Sequence, residues 1–151
     1  MTYSVSVQRT ELRTIAAVHA RVRPGEVPRV FKRYLDQVYA ARTQLPLDGQ
    51  NVFIYRRAAD SDDIEAAFGV GVTEAVFEPI GAVRPLQLPS GNVATTAHFG
   101  SYAGLGAAHS AVTEWCKTHG HRLVGTSWEV YGHWTEDESK LRTDVFYLLA
   151  E

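Results

Sequence analysis

Hydrophobic and polar positions along the 151-residue chain fall into two similar series. Tyr3, Val5 and Val7 alternate with polar neighbours, and after a turn near Arg9 to Glu11 a β-branched stretch, Thr14 to Val22, predicts further extended chain that stops at Pro24-Gly25. Val27, Val30, Phe31, Tyr34, Leu35 and Val38 recur at helical spacing. They predict an amphipathic helix from Glu26 to Arg42, with Pro28 tolerated in its first turn. Strands follow at 51–57 and 64–73 across the polar turn 59–63. Gly69 and Gly71 lie two apart, so one face of the second strand carries no side chain there. The later series has strands at 83–88 and 92–99, then a helix bearing Leu105, Ala108, Val112, Trp115 and Cys116, with Ser101 as its cap and Gly120 closing it. A strand at 128–134, a charged turn at 135–140 and a partner strand at 143–149 complete it.

The two series are offset by about 76 residues: Leu35 falls on Val112, Val38 on Trp115 and Tyr55 on Tyr131. This predicts one domain built from two strand–helix–strand–strand pseudo-repeats, about 1–76 and 77–151. The fold class is α+β, a mainly antiparallel sheet with both helices on one face and a ligand groove on the other. By strand alternation Phe53, Tyr55, Glu129, Tyr131 and His133 look onto that open face. An aromatic-lined groove holding one carboxylate is the general outline of a small-molecule site.

Composition narrows the classes. Fifteen basic and 17 acidic residues leave a net charge of −2, so no basic field attracts nucleic acid or anionic lipid. No apolar run approaches the ~20 residues that span a bilayer, and the first residues lack a signal-peptide core. A single cysteine, Cys116, excludes an internal disulfide and suits the cytoplasm. Seven Tyr, six Phe and three Trp are a generous aromatic complement, and it is this surplus that a ligand groove would explain.

The segment Ala97-His98-Phe99-Gly100-Ser101-Tyr102, the helix reaching Trp115, the run Trp128-Glu129-Val130-Tyr131, and Leu141-Arg142-Thr143-Asp144-Val145-Phe146-Tyr147 resemble the GyrI-like domain. That is the effector-binding domain of multidrug-responsive regulators of the BmrR and AraC type, also found free as gyrase inhibitory protein. The resemblance spans essentially the whole chain. It implies a groove between the two halves that takes lipophilic, often cationic, compounds against aromatic walls and one acidic residue. Carried over, the acid is Glu129 and its companion Tyr131, with Phe99, Tyr102 and Phe146 as wall positions. Regulator members carry a helix-turn-helix ahead of this domain; here the first strand begins at Tyr3, so direct DNA binding is not expected. Gly132-His133-Trp134 has no firm counterpart in the family.

Glu129 lies in an apolar stretch without a basic sequence neighbour, which points to a desolvated acid or a carboxylate held for a cation. Tyrosine and phenylalanine faces would add cation–π attraction of ~0.5–2 kcal/mol each. The same pair suits hydrolysis, because the resemblance extends to hydrolases that open the cyclopropane of alkylating natural products. There Glu129 would activate a water and Tyr131 would donate to a carbonyl. Protein interaction, with gyrase or with a regulator, is a third class that no dedicated feature marks. No metal or cofactor is expected: His119-Gly120-His121 sits at a helix C-terminus, where imidazole suits the dipole. Gly100 to Gly104 misplaces its serine for a nucleophile elbow, and Gly104-Leu105-Gly106 lacks the rest of a phosphate loop.

Overall fold

The structure, a computed structural model, describes residues 2–74 and 77–151. The repeat boundary drawn after residue 76 therefore touches positions outside the described residues. Eight strands and two helices are present among them, and they divide into two compact units. One unit is Leu12–Pro89; the other joins 2–11 to 90–151.

In the Leu12–Pro89 unit, β2 (Arg13–Val22), α1 (Val27–Ala40), β3 (Leu47–Arg57) and β4 (Ile64–Val72) are followed by β5 (Arg84–Leu88). The strands lie in the order β3-β4-β2-β5, every neighbour antiparallel. Phe53 pairs with Phe68, and Phe68 with Val18, so one face of three strands meets the buried Leu35 and Val38 side of α1. In the second unit, β1 (Ser6–Thr10), β6 (Gly91–Phe99), α2 (Leu105–Thr118), β7 (Leu123–Tyr131) and β8 (Arg142–Leu149) form a sheet ordered β1-β6-β8-β7, again antiparallel throughout. Ala108, Val112 and Cys116 of α2 pack against Ala94, Val145 and Leu149. The α+β class and the antiparallel pairing are as the sequence pattern predicts.

The duplication runs deeper than the three matched positions. Both β2-α1-β3-β4 and β6-α2-β7-β8 place their last strand in the middle. Both also break register at the start of the third strand, between Leu47 and Asn51 and between Leu123 and Ser127. A left-handed glycine sits inside each irregularity, Gly49 and Gly125. Outer strands are exchanged: β1 precedes β2 in sequence but pairs with β6, while β5 precedes β6 and pairs with β2.

Two local expectations are corrected, and the side-chain-free positions at Gly69 and Gly71 are filled by their neighbours. The strand expected at 128–134 runs Leu123–Tyr131. The bulge hides its beginning, and the ladder ends where Gly132 donates its N–H to the Arg142 carbonyl at 2.9 Å. Beyond that point Trp134 is 71% exposed. Ser101 caps a 3-10 turn, Tyr102–Gly104, by accepting the Ala103 N–H, and α2 starts only at Leu105. Gly69 and Gly71 do not open a bare face. A Cβ on Gly69 would meet the Ala16 carbonyl oxygen at 2.7 Å and the Ala17 Cβ at 2.9 Å, and one on Gly71 would enter the Arg13–Asp48 ion pair. Close approach of β2 and β4 thus demands glycine at 69. Gly69→Ala is expected to lower stability by ~1–3 kcal/mol, as overpacking does. Equilibrium denaturation measures it, and an unchanged midpoint would show that the strands can separate freely.

Candidate functional site

The site is built by α2, β7 and β8. Alternation on β7 sends Glu129 and Tyr131 to one face, and the register pairs Glu129 with Val145 and Tyr131 with Thr143. That face is the one α2 covers, because Val145 belongs to the α2 core cluster. The groove expected on the helix-free face therefore does not hold these residues. Alternation decides which side chains share a face, but not which face the helix takes.

Glu129 is only 5% exposed, and its carboxylate is held from two sides. Tyr131 donates its hydroxyl to Oε1 at 2.7 Å, and Nε2 of His109, from α2, lies 2.6 Å from Oε2. The other imidazole nitrogen, Nδ1, is 2.7 Å from the Tyr147 hydroxyl. Tyr147 faces Ser127 across the β7–β8 ladder. With Glu129 ionised, the donors run consistently: Tyr147 to Nδ1, Nε2–H to the carboxylate, Tyr131 to the carboxylate. Such charge-assisted bonds are what a buried carboxylate needs to remain in place. Burial pushes the Tyr131 phenol far up, and the Glu129 charge adds to it. Tyr147 is pushed up to about 12 by the same two causes, burial first. Both phenols stay protonated donors under ordinary conditions.

Around this cluster, Tyr102 meets Tyr131 edge-on at 5.5 Å between centroids and is 41% exposed, giving the cluster an aromatic rim. Buried His98 fixes the approach to that rim. One ring nitrogen lies 2.8 Å from the Tyr3 hydroxyl and the other 2.8 Å from the Ser101 carbonyl, so the loop carrying Tyr102 is tied to β6. Thr143, between His98 and Tyr131 in register, has a buried hydroxyl without a hydrogen-bond partner.

The remaining sequence candidates lie elsewhere. Phe146 pairs with Thr95 and stacks on Trp128, and Phe99, 48% exposed, lies under the Arg142 guanidinium at 5.4 Å. Both occupy the opposite face of the sheet from Glu129. His133 is exposed past the end of β7. Phe53 and Tyr55 belong to the Leu12–Pro89 unit, where Phe53 is core, wedged against Phe31 and Phe68. His109 and Tyr147 were not among the sequence candidates. The repeat carried the missing signal. Aligned by their first residues, Val27 of α1 and Leu105 of α2, the helices set His109 against Phe31, one position off the Leu35–Val112 match, and at the β3–β7 offset Glu129 stands where β3 has Phe53. Two contacting aromatics in one unit are a hydrogen-bonded His–Glu pair in the other.

A family model, the GyrI-like small molecule binding domain, matches residues 4–149. The chain belongs to the GyrI-like family. No curated protein matches it. Among solved structures, the EcmrR C-terminal domain is similar at 13% identity, covering 100% of this chain and 99% of that one, with a TM-score of 0.78. SAV2435, solved bound to tetraphenylphosphonium, gives 0.74 at 13% identity over 99% and 94%. A hydrolase from Listeria innocua gives 0.58 at 9% identity over 97% and 91%. At these identities the likeness is one of fold.

The two phenols provide a direct check on the network. Because the folded protein holds their protons above the ordinary tyrosine value of ~10, their contribution to stability is intact below that pH and lost as pH rises toward about 12. With Tyr39 and Tyr102 also raised by burial, ultraviolet titration is expected to find Tyr131 and Tyr147 the last tyrosines to ionise. Glu129→Gln should bring both down. Identical titration curves for the two proteins would remove the Glu129 charge as a cause.

Proposed function

We propose that this GyrI-like chain binds lipophilic, cationic aromatic compounds at the α2 face of the 90–151 unit, with Glu129 supplying the charge and Tyr131 and Tyr102 the aromatic surface. The observation that carries the reading is the buried Glu129 held by His109 and Tyr131 where the sister repeat has a plain aromatic contact. A core needs no carboxylate there, as Phe31 and Phe53 demonstrate, so an acid kept at this position has a use beyond packing. SAV2435 bound to tetraphenylphosphonium supports the ligand class by analogy of fold. A cation resting near the Tyr102–Tyr131 rings at ~6 Å from the carboxylate gains about 3 kcal/mol at an effective dielectric of ~20, before cation–π attraction is added. Cys116 is a buried free thiol, and no described helix is long and apolar enough to cross a membrane; both fit a cytoplasmic setting.

Tetraphenylphosphonium should quench tryptophan fluorescence saturably. Glu129→Gln should weaken it by ~10–100-fold while neutral triphenylphosphine oxide changes less than about threefold. Equal losses for both compounds would sink the electrostatic role.

The Tyr147–His109–Glu129 chain favours a second reading, hydrolysis of a cyclopropane-bearing alkylating compound. A carboxylate that holds an imidazole bonded to a hydroxyl is a connected path for protons. In this reading water attacks a cyclopropane carbon and passes its proton to Glu129. The electrons of the broken carbon–carbon bond flow to the substrate carbonyl, which takes a proton from Tyr131. Glu129 then passes the proton from water to Tyr131 through their hydrogen bond, restoring both groups. Mass spectrometry should then find many equivalents of a product heavier by one water, none with Glu129→Gln. A one-to-one complex with unaltered compound would reject turnover.

A further inference from the structure

His109 does more than support the carboxylate. We propose that it is the specificity-determining residue of the site, a built-in counter-ion whose proton competes with a cationic ligand. This rests on the small-molecule reading above and assigns its pH dependence and ligand charge preference.

The geometry is a single short contact. Nε2 of His109 lies 2.6 Å from a Glu129 oxygen, with side-chain exposures of 22% and 6%. A neutral imidazole leaves the pair with one negative charge, and a site of that charge attracts a cation. An imidazolium cancels it. The same pocket is then electrically neutral, and Glu129 offers a cation little. The second nitrogen accommodates either state, because the Tyr147 hydroxyl can give its proton to Nδ1 or accept one from Nδ1–H. Among the described residues, His109 meets Glu129 on β7 and Tyr147 on β8, with Tyr131 and Tyr102 beyond the carboxylate and Cys116, on α2 itself, near Tyr147. The phenols are held protonated and the thiol is pushed up by burial, and imidazole is the side-chain type whose charge ordinarily changes between pH ~5 and 8. The Leu12–Pro89 unit supplies the contrast, with Phe31 at the corresponding helical position making a contact that no proton can modulate.

By linkage, a cation that prefers the neutral imidazole must expel its proton on binding below the pH at which the imidazole titrates. Cation affinity therefore rises with pH by up to about tenfold per unit across that titration, whereas a neutral ligand is indifferent.

Isothermal titration calorimetry with tetraphenylphosphonium, whose charge does not titrate, tests this from pH ~5.5 to 8.5. The expected result is an affinity gain of at least about tenfold toward alkaline pH, with proton release on the acidic limb read from buffers of different ionisation enthalpy. Triphenylphosphine oxide should stay level within about twofold. His109→Gln and His109→Phe, the latter restoring the sister repeat's residue, should both flatten the cation profile. Nitrogen NMR of the His109 ring should move toward the neutral form when the cation is added at low pH. A level profile in the unaltered protein, or a slope that survives both substitutions, overturns the counter-ion role while leaving the binding reading standing. Failure of the folded protein to bind tetraphenylphosphonium at any pH overturns the binding reading itself, and the counter-ion role with it.

Discussion

A carboxylate 5% exposed to water is the constraint around which the 90–151 unit is arranged. Removing an ionised group from solvent without partners is prohibitive, so donors must be brought to it from more than one element. Tyr131 comes from the same strand two residues on, which alternation guarantees. His109 comes from α2, and this fixes where along the sheet the helix lies. Tyr147 then completes the shell from β8. α2 and β7 are thereby bonded directly to Glu129, and β8 is joined to it through Tyr147 and His109, in addition to the apolar contacts of Ala108, Val112 and Val145.

The other unit supplies an internal control. It has the same strand order, the same bulge with its left-handed glycine and the same helix placement, yet Phe31, Phe53, Phe68 and Tyr34 pack together where the polar cluster would be. The aromatic solution is physically simpler, since it needs no matched donors. Polar groups in the second unit therefore reflect a demand that packing does not make. Divergence of two copies of one module allows this: one copy keeps the robust core, and the other is free to carry chemistry that stability alone would not retain.

Much of the architecture was legible from residue pattern. Helices at Val27–Ala40 and Leu105–Thr118 announce themselves by spacing, and the hairpin at 57–64 by its polar turn. Bulges were not legible, because Gly49 and Gly125 read as strand breakers until the irregular ladder is seen. The exchange of β1 and β5 was equally hidden, since short exposed strands pair by topology rather than by composition. At the site, Glu129 and Tyr131 stand out as polar positions in an apolar run. Their shared face follows from period two, but choosing between faces needs the helix; Phe99 and Phe146, carried over from the family resemblance, lie on the face opposite Glu129. His109 sits beside the buried Leu105–Ala108–Val112 stripe as one histidine of six. Only superposing the repeats residue by residue exposes it.

Binding and turnover make opposite demands on this cluster, and the hydrogen bonds show how one scaffold can serve either. Sequestration of a cation uses Glu129 as a fixed charge, so partners that share its charge weaken it. Proton transfer uses the same bonds as a path, so partners that share a proton help it. His109 stands at the point where these demands diverge. As a neutral donor it orients the carboxylate and leaves its charge intact; as imidazolium it extinguishes that charge and stores a proton for transfer. A phenylalanine there, as in the sister repeat, would serve neither role. On the proposed reading, the α2 residue facing the carboxylate, rather than Glu129 or Tyr131, is where cation binding and proton transfer would part.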